Sequence, residues 1–233
     1  METQPRTAVE HEARSALEDT LLFGALDDAA LDALAEVCVT RRYTTGQVVV
    51  LAGDPGGDLL VVAKGRLRVV ARSAEGAAVV LAVAVRGDTL GEVSLFDYQP
   101  RSATIEAAEA SVVVRVPGED VQRLIRLRPE IAEELLRQQA ALLRRSTGMV
   151  ADLVFLDLPR RVAKYVLGAA GRDGRADLGM SQTELAAAVG GVRQSVNAAL
   201  RNFERRGWIQ MDGRVVEICD AGALGEYASV QPA

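Results

Sequence analysis

Between Tyr43 and Val116 the chain repeats one pattern. Short runs rich in valine and leucine (Gln47–Leu51, Leu59–Ala63, Arg66–Ala71, Val79–Val85) are separated by turn-forming clusters. Those clusters are Gly53-Asp54-Pro55-Gly56-Gly57-Asp58, Lys64-Gly65, Glu75-Gly76 and Gly87-Asp88. Residues 103–116 read as two further strands. Glycine at 46, 53, 65, 76 and 87 supplies the positive φ that tight turns demand. Evenly spaced short strands with turn signals predict a β sandwich or barrel for this stretch.

The flanks are helical. Residues 1–14 are polar and aperiodic, which predicts a loose tail. From Ser15 to Val39, Leu17, Leu21, Leu22, Leu26, Leu31, Leu34 and Val37 recur at helical spacing, with Asp27-Asp28 as a cap. Pro129 predicts the start of a long helix. On it Leu135, Leu142 and Met149 are seven residues apart, with Gln139, Ser146 and Leu153 at the other seam position, a heptad that predicts a coiled coil. Polar residues at two seam positions cost stability but can fix register or meet a ligand. Leu158-Pro159 predicts a hinge, because proline disfavours helix in the residue before it, and Asp157 suits the cap of a helix over Arg160–Ala170.

Residues Gly171–Gly179 read as a polar turn region. Ser181 and Glu184 form a capping box for a helix over Gln182–Val189. Gly190-Gly191 makes a turn, and a second helix over Val192–Arg206 buries Val196, Leu200 and Phe203. Trp208–Ile218 then reads as a hairpin around an Asp212-Gly213 turn, a wing. Residues 221–233 show little pattern and predict a surface tail.

Charge separates the two ends. From Pro159 to Arg214 there are ten basic and five acidic residues, a net +5, against −10 for the rest of a chain whose total is −5. An acidic body with a basic end suits a sensor joined to a nucleic-acid reader. The longest apolar run, Ala77–Val85, is far short of the roughly 20 residues of a membrane helix, and the N-terminus lacks the apolar segment of a signal peptide. A cytoplasmic protein is expected. Two distant cysteines, Cys38 and Cys219, and a single histidine, His11, supply no disulfide framework, metal cluster or histidine-based catalytic pair. No enzyme, cofactor or metal site is expected.

The chemistry concentrates in Gly91–Ala107, which opens with Gly91-Glu92 and closes with Arg101-Ser102-Ala103-Thr104. Gly91 lets the backbone approach a ligand. Glu92 can accept from a sugar hydroxyl. Arg101 offers a planar fork of donors to a phosphate, and Ser102 adds a hydroxyl. A surface ion pair between Glu92 and Arg101 is the plainer reading of the same residues.

This stretch resembles the phosphate-binding cassette of cyclic-nucleotide-binding domains, and the whole chain resembles the CRP/FNR family of bacterial transcription regulators, in particular its cyclic AMP receptor branch. The resemblance implies an α+β architecture in three parts. These are a cyclic-nucleotide-binding β jelly roll over residues 15–127, a central dimerisation helix over 128–157, and a winged helix-turn-helix over 158–220. It implies that Glu92 holds the ribose 2′-hydroxyl and that Arg101 and Ser102 hold the cyclic phosphate, with Gly91 beside them. Ser146 and Thr147 fall where the family carries a threonine-serine pair that reaches the base, in inverted order.

The second helix of a helix-turn-helix lies in the major groove. Its first residues here are Arg193, Gln194, Ser195 and Asn197, where arginine suits guanine and the amides suit adenine. The family's usual arginine-glutamate is Arg193-Gln194, and a later arginine is Ala198, so the operator is expected to differ from the family consensus. Ser181, Thr183 and Arg214 are candidates for phosphate contacts.

The reading is therefore a homodimer that binds a near-palindromic DNA site under control of cyclic AMP, with RNA polymerase as a further partner. Its rivals are the same fold bound to cyclic GMP, a cyclic dinucleotide or no ligand, and a nucleotide-binding module that has lost DNA binding.

Overall fold

The computed structural model describes residues 6–72, 78–178 and 181–229, and it divides into two units, Met1–Leu142 and Leu143–Ala233. Each unit is taken by itself. The Glu75-Gly76 turn lies outside the described residues.

The first unit begins with α1 (Arg6–Glu18) and α2 (Asp28–Val37). Residues 6–14 are thus helical where the sequence predicts a tail. The cause is three small or apolar residues at helical spacing, Ala13, Ala16 and Leu17, which are fully buried. Asp27 caps α2, its side chain accepting from Ala30 N at 2.9 Å.

Six strands follow: β1 (Val39–Tyr43), β2 (Val48–Val50), β3 (Asp58–Lys64), β4 (Arg66–Arg72), β5 (Ala78–Val85) and the short β6 (Thr89–Leu90). Then come α3 (Glu92–Asp97), β7 (Thr104–Ala107), β8 (Ser111–Pro117), α4 (Gly118–Leu127) and α5 (Pro129–Phe155). The strands form two antiparallel four-stranded sheets, ordered β1-β8-β3-β6 and β2-β7-β4-β5. Gly46, Gly53, Gly65 and Gly87 all adopt positive φ at the turns.

Strand β3 explains the layering. Leu59–Ala63 is buried throughout, because side chains alternate between two cores. Leu59, Val61 and Ala63 pack with Val112, Val114 and Val116 against the helices. Leu60 and Val62 face the second sheet, meeting Val49, Leu67, Ala84 and Ile105. Each fully buried valine or leucine contributes about 1.5–3 kcal/mol.

Helix α5 departs from the expected heptad. Leu135 is 4% exposed and packs with Ile131 in the core of the first unit, so it cannot serve a seam with another chain. The exposed apolar row lies one residue further on. Leu136, Ala140, Leu143, Thr147, Val150 and Val154 follow a 4-3-4-3-4 spacing and all are exposed. Leu136, Leu143 and Val154 are 68%, 69% and 68% exposed.

The second unit carries the rest: α6 (Leu158–Ala169), β9 (Arg175–Asp177), α7 (Gln182–Ala188), α8 (Arg193–Arg205), β10 (Ile209–Asp212), β11 (Val215–Ile218) and α9 (Ala221–Ser229). Asp157 caps α6, accepting from Arg160 N at 3.0 Å. β9 adds a third strand to the hairpin, giving the order β10-β11-β9. The hairpin turn is Gly213-Arg214, with Asp212 still paired to Val215 and Gly213 at φ 61°, as a glycine-first two-residue turn requires. Residues 221–229 are helical, not a tail. Asp220 caps α9 by accepting from Ala223 N at 2.9 Å, and Leu224 and Ala228 enter a core with Val162, Val166 and Phe203. The fold is α+β: a jelly roll, a long helix and a winged helix-turn-helix.

Candidate functional site

Gly91 and Arg101 build the centre of the cassette. Gly91 has φ 93°, and a β-carbon there would overlap Arg101 Nη1. Only glycine lets the guanidinium lie against this backbone. Arg101 is 6% exposed. Its main chain is fixed by exchange with the preceding loop: its N–H donates to Asp54 O, and its carbonyl accepts from Gly53 N, each at 2.9 Å.

The guanidinium is held on three acceptors. Nη1 donates to Gly91 O at 3.1 Å and to Ser94 Oγ at 3.0 Å, and Nη2 donates to Asp58 O at 2.8 Å. Ser94 in turn donates to Gly91 O at 3.1 Å. Of the five donors of an arginine, Nε–H and one hydrogen of Nη2 remain. Nε is buried and has no hydrogen-bond partner among the described residues. Burial lowers the Arg101 pKa from its ordinary value, and the carboxylates of Asp58 and Glu92 oppose that shift. The group is still a cation at neutral pH.

Glu92 opens α3. Its Oε1 accepts from Gln139 Nε2 of α5 at 2.9 Å, while its Oε2 is buried without a partner among the described residues. A buried carboxylate oxygen without a donor costs about 1–3 kcal/mol or more. The plain ion pair between Glu92 and Arg101 is absent among the described salt bridges, since each makes its bonds elsewhere. Ser102 is exposed beside Arg101. Ser146 and Thr147 are exposed on α5 in the second unit, where the Thr147 hydroxyl donates to Leu143 O at 2.9 Å.

Two residues that fix this site were not singled out as ligand-binding from sequence. Ser94 lies inside the cassette, and its signal was a lone hydroxyl among Val93, Leu95 and Phe96. Gln139 was visible only as a polar residue in an apolar seam.

In the second unit Arg193, Gln194, Ser195, Thr183 and Arg214 are exposed. Ser181, Arg193 and Arg214 line one cleft of about 280 Å³ between the helix-turn-helix and the wing. Ser181 also closes the capping box, accepting from Glu184 N at 3.3 Å while Glu184 Oε2 accepts from Ser181 N at 2.7 Å. Asn197 differs from its expected role as a free reader: its Nδ2 donates to Gln182 Oε1 at 2.9 Å, tying α8 to α7. Arg161 carries no signal of its role in the sequence. Its guanidinium donates to Val189 O, Leu156 O and Gly190 O at 2.8, 2.8 and 3.1 Å, binding the helix-turn-helix turn to the end of α5.

Among the described residues no group of three His, Cys, Asp or Glu could hold a metal, and no helix is long and apolar enough to cross a membrane.

A jelly roll with such a cassette, followed by a winged helix-turn-helix, defines a transcription regulator with a nucleotide-binding domain and a DNA-binding domain. Comparison with known proteins agrees. Residues 40–128 match the cyclic nucleotide-binding domain, and residues 160–227 match the Crp-like helix-turn-helix domain. The chain belongs to the CRP/FNR family of transcription regulators. It is 34% identical over 214 residues to the CRP-like cAMP-activated global transcriptional regulator of Mycobacterium tuberculosis, covering 89% of this chain and 96% of that one. The fold also matches CooA of Carboxydothermus hydrogenoformans at TM-score 0.74 and 22% identity, over 83% of this chain and 89% of that one. The c-di-GMP responsive regulator CLP of Xanthomonas campestris matches at TM-score 0.70 and 24% identity, over 82% and 99%.

Proposed function

We propose that this regulator is a homodimer whose DNA binding is controlled by cyclic AMP held in the first unit. The observation that carries the ligand reading is the pair of unmet groups in the cassette: Arg101 Nε and Glu92 Oε2, a buried donor and a buried acceptor. A ligand that joins an oxyanion to a hydroxyl satisfies both. In a cyclic ribose phosphate, the phosphate takes Nε–H and the remaining Nη2 hydrogen of Arg101, with Ser102 beside it, and the ribose hydroxyl donates to Glu92. The relative of M. tuberculosis, named as cAMP-activated, favours cyclic AMP among such ligands. Ser146 and Thr147 are the candidates for contact with the base.

The exposed heptad of α5 supports pairing of two copies. Leu136, Leu143 and Val150 at seven-residue intervals are what a second identical helix would cover. Arg193, Gln194 and Ser195 read base edges, and Ser181, Thr183 and Arg214 hold phosphates. A two-fold pair of reading heads selects half-sites about 34–36 Å apart. The ligand acts as a switch by binding the DNA-ready state better than the other.

Calorimetry with cyclic AMP, cyclic GMP and cyclic di-GMP, on wild type and on Arg101→Lys and Arg101→Ala, tests this. Cyclic AMP binds tightest to wild type. Arg101→Lys keeps the charge but loses the fork, and weakens binding roughly 10- to 100-fold. Preference for the dinucleotide, or full affinity in both variants, refutes the assignment. Gel shifts with and without the best ligand then test the switch.

A further inference from the structure

We infer that Gln139 is the residue through which α5 positions the ligand-binding carboxylate and registers its occupancy; this rests on the cyclic-nucleotide reading of the cassette. The geometry divides Glu92 between two partners. Oε1 is taken by the Gln139 amide at 2.9 Å, while Oε2 is buried and unmet. One oxygen is thus anchored to α5, and the other is left for a ligand hydroxyl. The two contacts do not compete. The amide fixes the carboxylate rotamer before ligand arrives, so the ligand hydroxyl meets an acceptor already in place.

The neighbouring side chain acts on the same segment. Gln138 Oε1 accepts from the Thr89 hydroxyl at 3.3 Å, and Gln138 Nε2 donates to Glu134 Oε1 at 3.2 Å. Two consecutive glutamines of α5 therefore hold the two ends of the Thr89–Glu92 stretch that leads into the cassette. Of the two, Gln139 is the one that bonds the Glu92 carboxylate. A ligand that tightens Glu92 also strengthens its grip on α5, the helix whose further residues carry Ser146, Thr147 and the exposed apolar row. A single hydrogen bond to a charged acceptor is enough to shift the balance between two states of a helix that differ by a few kcal/mol.

The test is a double-mutant cycle on the full chain with cyclic AMP as the probe. Gln139→Met keeps the length and apolar stem of the side chain but removes the amide. Glu92→Gln removes the carboxylate charge. Cyclic AMP affinity is read by calorimetry, DNA affinity by gel shift at zero and saturating cyclic AMP, and folding by thermal unfolding.

Gln139→Met is expected to weaken cyclic AMP roughly tenfold. It is also expected to reduce the gain in DNA affinity at saturating ligand, and to have almost no further effect on ligand affinity in the Glu92→Gln background. Gln139→Glu, which sets two carboxylates together, is expected to weaken cyclic AMP more than the methionine does. A purely structural role predicts additive losses in the cycle and an unchanged DNA gain at saturation, and either result overturns the inference. Affinity within twofold of wild type in Gln139→Met does so too. If wild type binds none of the cyclic nucleotides, the ligand reading itself fails and this inference falls with it. If wild type binds and the cycle is additive, only the role of Gln139 fails.

Discussion

Gly91 and Arg101 are fitted to each other at the backbone: the guanidinium occupies the volume where any other residue at 91 would carry its β-carbon. The same hypothetical carbon would sit 3.0 Å from Asp58 O, the acceptor of Arg101 Nη2. The glycine therefore serves the arginine twice, by its φ of 93° and by its missing side chain. Gly91→Ala should force the guanidinium off its three acceptors. The backbone strain alone costs about 1–3 kcal/mol. Expected outcomes are a lower unfolding temperature and at least a tenfold loss of cyclic AMP affinity, read by calorimetry on the folded fraction. Unaltered affinity would show that the cassette tolerates a displaced arginine.

Arg161 makes three bonds to main-chain carbonyls, at Leu156, Val189 and Gly190. Leu153 and Leu158 pack on the same turn, where β-carbons at Gly190 and Gly191 would meet Leu153 Cδ2 at 2.8 Å and Leu158 Cδ1 at 2.5 Å. The entry to α8 is thereby fixed to the end of α5. Arg161→Met should leave three acceptors unpaired and destabilise the second unit by about 2–4 kcal/mol, on the basis of about 1 kcal/mol per bond. DNA affinity should fall while cyclic AMP affinity stays within about twofold, a separation that gel shift and calorimetry on one preparation resolve.

The heptad illustrates what the sequence could and could not disclose. The seven-residue repeat on α5 was legible, but two rows, Leu135/Leu142/Met149 and Leu136/Leu143/Val150, both satisfy it. Choosing between them needs the position of the jelly roll, which claims Ile131 and Leu135. The strands, the capping box and the helix-turn-helix were readable because each has a local signal: turn glycines, a serine three before a glutamate, apolar steps of three and four. The first turns of α1 and the whole of α9 were not, since alanine supplies two of the three buried residues of α1 and one of the two of α9, and hardly raises an apolar pattern. Within the site, Gly91, Glu92 and Arg101 were legible as a motif. The contacts of the Asp58 carbonyl and Gln139 were not, because they are long-range in sequence, and Ser94, though inside the cassette, shows only as a lone hydroxyl.

The exposed row makes a direct expectation for assembly. A glutamate in place of Leu143 puts one charge per chain into an apolar seam, and two meet if copies pair. Leu143→Glu should convert a dimer to a monomer in sedimentation, whereas Leu142→Glu, at a half-buried position of the other row, should act mainly on stability. A dimer that withstands Leu143→Glu would locate the pairing surface elsewhere.

Arg193 and Arg214 line one cleft but should do different work on DNA. Arg193 opens α8; on the proposed reading its guanidinium meets base edges, and Arg193→Ala should cost about 1–3 kcal/mol and relax preference at one base pair per half-site. Arg214 lies in the turn of the wing. Arg214→Ala should weaken all sequences alike and lower the salt dependence by about one ion per site. Gel shifts over a salt series and a set of single-base operator variants distinguish the two. Identical behaviour of the variants would mean that both arginines contact phosphate.

The two thiols differ by burial, and their chemistry should follow. Cys38 ends α2, partly buried against the core of the first unit, its Sγ donating to Leu34 O at 3.1 Å. Burial pushes its pKa up to about 12, with the nearby Asp120 carboxylate adding to the shift. Thiolate is the reactive form, so at pH 7 burial holds Cys38 as the unreactive thiol. Cys219 is exposed beyond β11. A disulfide reagent such as Ellman's should therefore modify one thiol per native chain at neutral pH, at Cys219, and the second only in denaturant. Since the raised pKa marks a neutral thiol favoured by the fold, its contribution to stability is present at neutral pH and declines as pH rises above the ordinary thiol pKa, where the unfolded chain ionises and the native one does not. Cys38→Ala should flatten that alkaline decline in a thermal-unfolding series, and Cys219→Ala should leave it intact. Rapid modification of Cys38 in the native protein at pH 7 would show that the α2 end opens far more readily than its packing implies.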